Sequence, residues 1–420
     1  MTQETIADAG GEILGCPDCD LLLEASDVSP HCIAACPRCG AVLYKGRGHR
    51  LDQAIALNLT ALILFAVANA FPFITFRMEG LEQVSHLATG IVEFYERGLW
   101  PLALLVALVT LVVPFAKIFG TLYVLLPLRR GRALPYAARV FRAVEVFRPW
   151  AMMEVFLLGV IVAYVKLVDI ASIDLGLAIF AFAALIVIVT AGDAVIEPRE
   201  VWNALGPASR RNGSKGRLGH RRHIVCHSCH YLEVAEQPPT HCPRCGSALH
   251  HRKPNSLNLS FALVVSAAIL YIPANVFPVM TVISFGKGEA DTILSGIESF
   301  IEADMWPLAL LVFFASIMVP MLKLCGLSYL ILSLKFGWHW RPRDRANLFR
   351  IIEAVGRWSM IDVFMISILI ALVKLGNLAT IEPGIGATSF AGVVVITMIA
   401  SHAFDPRLIW DQLEQDHVRA

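Results

Sequence analysis

A chain of 420 residues that is 56% hydrophobic and only 16% charged, with a mean hydropathy of +0.63, carries too little charge for an ordinary soluble domain, where about 25% is usual. The apolar residues fall in long runs, which excludes a soluble protein with a large core and points to an integral membrane protein. The net charge of +1 excludes nothing by itself, because its distribution matters more than its sum.

The chain opens on MTQETIADAGGEILGCPDCD, which has neither the basic n-region nor the apolar h-region of a signal peptide, so the N-terminus is expected in the cytosol. Residues 1–50 hold Cys16-x2-Cys19 and Cys36-x2-Cys39. Two residues between cysteines let one tight turn aim both sulfurs at a shared ion, and two such turns close a tetrahedral four-thiolate site. The pattern returns in residues 205–253 as Cys226-x2-Cys229 and Cys242-x2-Cys245. Spacers of 16 and 12 residues suit the short hairpin of a zinc ribbon. A cytosolic location disfavours disulfides, and a thioredoxin-like pair would need a βαβ context that is missing. Two structural zinc sites are therefore expected, with iron the second choice. Four thiolates leave no open position for catalysis. Cys32, His31 and His241 read as bystanders. The ribbons lack aromatic interleaving, so no nucleic-acid partner is expected.

Eight runs long enough to span a bilayer (about 20 residues) follow. Four lie near 54–76, 99–128, 149–170 and 173–195, within residues 51–204. Four more lie near 257–280, 305–334, 358–378 and 386–404, within residues 254–420. The third and fourth runs, like the seventh and eighth, are close enough to read as helical hairpins. Segments 129–148, 335–357 and the linker 199–222 are rich in arginine, whereas 77–98 and 281–304 carry acids instead. This bias puts both termini, both ribbons and the linker in the cytosol. Segments 132–148 and 341–357 mix arginines with apolar residues and suit helices lying in the cytosolic interface, or basic connecting loops.

The chain is an internal duplication. GLWPLALLVALVTLVVPFAKIFG at 98 matches DMWPLALLVFFASIMVPMLKLCG at 304, and ANAFP at 68 matches ANVFP at 274. PWAMMEVF at 149 answers RWSMIDVF at 357, and EPREVW at 197 answers DPRLIW at 405. The fold expected is an all-α polytopic membrane protein: a tandem parallel repeat of two four-helix transmembrane bundles, each preceded by a four-cysteine zinc ribbon. Both repeats run cytosol to cytosol, which argues against inverted-repeat alternating access.

Lys117 and Lys323 interrupt the second and sixth runs, each three residues after a proline. A lysine at that depth costs about 2.5–3.5 kcal/mol on insertion scales. Glu154 and Asp362, in the third and seventh runs, are the acids at compatible depth. Lys117 with Glu154 reads as a structural ion pair that staples two helices. Around Lys323 and Asp362 the second half adds hydroxyls: Ser359 replaces Ala151, Thr397 replaces Val189, and Ser316 lies two turns before Lys323. Pro320 cannot donate to the Ser316 carbonyl, leaving that acceptor free. These groups form a polar column of the kind that marks ion or proton pathways.

The CPxC…CPRCG ribbon, ANxFP first span, WPLALLV…VPxxK second span and W(A/S)M(M/I)(E/D)VF third span, all duplicated, resemble the paraquat-inducible protein A family. The resemblance covers nearly the whole chain and departs only in CHSC for CPxC. It implies a bacterial inner-membrane protein that loads or unloads lipid, phospholipid by expectation, to or from a periplasmic tunnel of a mammalian-cell-entry (MCE) domain partner. No Walker A sequence is present, which argues against ATP as the energy source; proton coupling through Lys323 and Asp362 would fit. The alternative is a non-transporting scaffold that anchors the MCE partner through structural ribbons and ion pairs. No nucleophile–base pairing or open metal site supports an enzyme.

Overall fold

The computed structural model describes residues 13–25, 28–29, 32–46, 50–78, 81–132, 134–167, 172–206, 223–234, 239–284, 287–338, 340–372 and 379–412. Among them are eight helical stretches long and apolar enough to cross a membrane. The first repeat supplies Leu51–Ala70, Trp100–Leu128, Ala137–Val165 and Leu177–Val195. The second supplies Ser256–Val276, Trp306–Lys335, Pro342–Leu372 and Ile385–Ala403.

The second and sixth spans share a defect that their prolines impose. Pro114 and Pro320 have no N–H, and their rings crowd the carbonyls of Thr110 and Ser316. Each helix opens into a π turn just there, at Leu108–Val112 and Phe314–Met318. The N–H groups of Val113 and Val319 reach back five residues, to the carbonyls of Leu108 and Phe314. π turns inside helices recur at functional sites. Each intramembrane lysine follows this turn.

The third and seventh spans are each built of two helices. The arginine-rich segments fold as helices Ala137–Phe147 and Pro342–Val355, joined by 3₁₀ turns to Met153–Leu167 and Ile361–Leu372. The connections after these spans are more than simple hairpins. Ser172–Leu175 joins Ile74–Met78 and Leu81–Ser85 in an antiparallel three-stranded sheet. Ala379–Pro383 does the same with Met280–Ser284 and Lys287–Asp291. Each sheet caps its bundle at the end opposite the ribbons.

Each ribbon is built from two knuckle turns of one design. In all four, the first cysteine donates to a carbonyl five residues on and accepts from the N–H four residues on, as in Cys16 with Leu21 and Asp20. That fourth residue sits in the left-handed region: Asp20 (φ 58°), Gly40 (75°), His230 (54°) and Gly246 (71°). Glycine meets this demand at no steric cost.

The two halves are tied together twice. The third and seventh spans pack so closely that a Cβ on Gly159 would lie 2.9 Å from that of Phe364. The ribbons, in addition, are exchanged. The first ribbon shares an apolar cluster with Leu324, Ile352, Phe404 and Trp410 of the second bundle. The second ribbon shares one with Val124, Phe141 and Trp202 of the first. Polar contacts follow the same crossing. Arg350 donates to Asp18 (3.0 Å) and to the carbonyl of Cys39 (2.6 Å), and Arg142 donates to the carbonyl of Cys245 (3.2 Å). Arg252 and Arg407 both grip Asp20.

Candidate functional sites: two thiolate clusters and a buried polar column

All eight paired cysteines are buried, and within each ribbon their sulfurs lie within 4.8 Å of one another. Representative separations are 3.5 Å (Cys16–Cys39), 3.6 Å (Cys19–Cys36), 3.6 Å (Cys226–Cys245) and 3.6 Å (Cys229–Cys242). A tetrahedron with metal–sulfur bonds of ~2.3 Å puts its sulfurs about 3.8 Å apart, so both clusters fit a four-thiolate metal site. None of the ten cysteines is in a disulfide. Each group, Cys16, Cys19, Cys36 and Cys39 or Cys226, Cys229, Cys242 and Cys245, could therefore hold one ion. Ser247 Oγ lies 3.1 and 3.0 Å from the sulfurs of Cys226 and Cys245. Cys32 is exposed and outside its cluster, with Ser29 donating to it at 3.3 Å. His241 also stands apart, its Nδ1 on the Thr240 hydroxyl. His31 lies outside the described residues.

In the second bundle Lys323, Ser316, Ser359, Asp362 and Thr397 are all buried. They do not form one connected chain. Lys323 Nζ donates to Thr397 Oγ1 at 3.4 Å, and the Thr397 hydroxyl in turn donates to the Val394 carbonyl at 3.0 Å. Ser359 donates to the Gly356 carbonyl at 3.0 Å. The expected Lys323–Asp362 pair is not made, since both carboxylate oxygens of Asp362 are buried without a hydrogen-bond partner. The reason lies at Gly356, which has no side chain: a Cβ there would fall 2.1 Å from Lys323 Cε, so the lysine fills that space at the ribbon end of the bundle. Asp362 faces the other way. The Ser316 hydroxyl looks onto it outside ordinary hydrogen-bond geometry. Beside it is a cavity of about 30 Å³ lined by Met280, Asp291, Thr292, Phe300 and Val312. That is room for a water.

The first bundle corrects a second expectation. Lys117 pairs with Asp193, not Glu154: Lys117 Nζ is 2.5 Å from Asp193 Oδ2, with Arg148 Nε 3.9 Å from the same oxygen. Glu154 is exposed in the first turn of its helix. Like Lys323, Lys117 extends toward the ribbon end, where the fourth span closes. Asp193 was findable as a carboxylate embedded in the apolar run AFAALIVIVTAGDAV, which is a functional flag by default. The repeats differ here by substitution: Asp193 and Arg148 align with Ser401 and Gly356.

These features define a polytopic membrane protein made of two copies of one four-span unit, each carrying a four-cysteine ribbon. The family model for paraquat-inducible protein A matches residues 51–206 and again 257–414, and the chain belongs to that family. It is similar to the intermembrane transport protein PqiA of Escherichia coli K12, 34% identical over 410 residues, covering 96% of each chain. It is also similar to the lipophilic envelope-spanning tunnel protein A of the same strain, 30% identical over 412 residues (97% of this chain, 93% of the relative). A probable intermembrane transport protein of Haemophilus influenzae is 26% identical over 414 residues, covering 95% and 96%. No solved structure matches. Two of these relatives are named for intermembrane transport and one for an envelope-spanning tunnel.

Proposed function

We propose that this chain is an inner-membrane lipid transport component, moving phospholipid to or from the tunnel of a periplasmic MCE-domain partner. Both ribbons and both termini face the cytosol, and each ribbon holds one structural zinc. Relatives named for intermembrane transport and for an envelope-spanning tunnel support the class of activity. The observation that carries the reading is the separation of two buried polar stations in the second bundle. Lys323 reaches Thr397 at 3.4 Å on the ribbon side, and Asp362 is unsatisfied beside Ser316 and a water-sized cavity. An ionised carboxylate left unpaired in apolar surroundings is costly, so Asp362 is a natural place to bind and release a proton. Coupling that event to rearrangement of the seventh span would drive lipid.

The test is lipid transfer by the purified complex in proteoliposomes, with and without a proton gradient. The gradient should accelerate wild type and Lys117→Ala, but not Asp362→Asn, which keeps the shape of the side chain. Gly356→Ala should also lose transport, because it displaces Lys323. Transfer that ignores the gradient in wild type and Asp362→Asn alike would favour the second reading, a scaffold that anchors the partner. The tight Lys117–Asp193 contact, an ordinary helix staple, supports that alternative.

A further inference from the structure

A cleft of about 300 Å³ opens between the two ribbons and the ribbon-side end of the first bundle. One wall is the first ribbon (Leu14, Tyr44, Lys45), the other the second (His230, Tyr231, Arg244). Its floor is the bundle itself, where Glu145, Arg148, Asp193 and Glu197 meet. The walls are fixed in place: Arg199 stacks over Tyr44 at 4.6 Å, and Arg244 donates to Asn203 at 3.0 Å. Asp193 is 29% exposed and lines the cleft, yet the same carboxylate holds Lys117, which is 9% exposed. One side chain thus touches both the cleft and the intramembrane lysine. The lining mixes apolar side chains with the charged groups of the floor, and a space of this size is roomy enough for many waters.

We propose that the cleft between the ribbons is an aqueous antechamber giving the Lys117–Asp193 pair of the first bundle access to solvent on the ribbon side. Among the described residues, the equivalent positions of the second bundle are occupied differently. Ser401 replaces Asp193, Gly356 replaces Arg148, and Phe404, which replaces Ile196 of the cleft lining, is fully buried. The second ribbon docks on the first bundle, and the first ribbon, docked on the second bundle, reaches across to Arg199 through Tyr44 and supplies the other wall. The inference is independent of whether lipid moves.

The experiment is cysteine accessibility in the full-length chain, using a membrane-impermeant cationic methanethiosulfonate on sealed vesicles of both orientations. Modified peptides are mapped by mass spectrometry, and the exposed native Cys32 reports which vesicles present the ribbons. Ile196→Cys, Asp193→Cys and Lys117→Cys should all be modified in the vesicles that modify Cys32, and in no others. Phe404→Cys should stay unmodified. If Lys117→Cys does not accumulate, Asp193→Cys gives the same readout. The proposal is overturned if Ile196→Cys is inert, if Ile196→Cys reacts but the deeper positions do not, or if the deeper positions react equally from both faces.

Discussion

Phe156 and Phe364 occupy the same position in the two repeats, and they meet: their rings lie 5.4 Å apart, edge to face, where the third and seventh spans cross. Edge-to-face pairs contribute about 0.5–1.5 kcal/mol beyond the area they bury. The contact is close because Gly159, one turn on, lets the helices approach. Gly159→Leu should therefore wedge the halves apart and cost roughly 1–3 kcal/mol. Thermal unfolding in detergent checks this; an unchanged midpoint would mean the halves are not joined along this seam.

Asp193→Ala leaves the largely buried Lys117 without its counter-charge, which should cost roughly 1–3 kcal/mol, less than for a fully buried pair because Asp193 is partly exposed. Glu154→Ala removes an exposed side chain and should fall within about 0.5 kcal/mol of wild type. Replacing both members of the true pair, Lys117→Met with Asp193→Leu, should recover most of the loss. The three variants separate cleanly by midpoint of thermal unfolding, and equal effects of Asp193→Ala and Glu154→Ala would reject the pairing.

Arg142 and Arg350 are also equivalent by repeat, and each donates to the carbonyl of the last cysteine in the ribbon from the other half. Groups that orient metal ligands from outside typically change metal affinity 10–100-fold when removed, by about that factor. Arg350→Ala loses contacts to both Cys39 and Asp18, and should release metal from the first ribbon more readily than Arg142→Ala does from the second. Competition with a chromogenic chelator, followed ribbon by ribbon, gives the order.

Asp405 closes the last span outside the apolar region. Burial alone would raise its carboxyl, but the guanidinium of Arg407 (3.1 Å), with N–H groups of Lys253 and Arg407, holds it below the ordinary carboxylate value. A carboxyl depressed on folding contributes stability that is fully present above its unfolded value of about 3.9 and is lost as pH falls through the folded value. The difference in melting midpoint between wild type and Asp405→Asn should thus be widest near neutrality and shrink below about pH 4. A gap that is constant with pH would assign the effect to shape, not charge.

The ribbons and spans were legible because their signals are local. Cysteine spacing dictates a knuckle, and a run of apolar residues dictates a helix of known length. The small sheets were harder, although Ile74 and Phe76 alternate inward with Thr75 and Arg77 pointing out. Five-residue strands inside a short acidic loop compete poorly with the spans around them. For pairings inside the membrane the sequence offers depth alone, which places Glu154 and Asp362 level with the lysines. Depth says nothing of direction: both lysines extend toward the ribbon end, one drawn by Asp193 and the other into the space left by Gly356. The exchange of ribbons left no sequence trace, because each surface looks like an ordinary amphipathic face until its partner is known.

That exchange sets an order of assembly during synthesis. The second ribbon emerges after the bundle it covers has been made. The first ribbon is made at once, but its clamp at Arg350 lies 332 residues beyond Asp18. At ribosomal rates of about 5–20 residues per second, that is a delay of roughly 20–60 s. Throughout it, a four-cysteine module too small to hold a core has its docking face uncovered, and an ion held by its cysteines would be what keeps its shape. The first ribbon is thus the place where metal starvation would strike a nascent chain, before the second has any work to do.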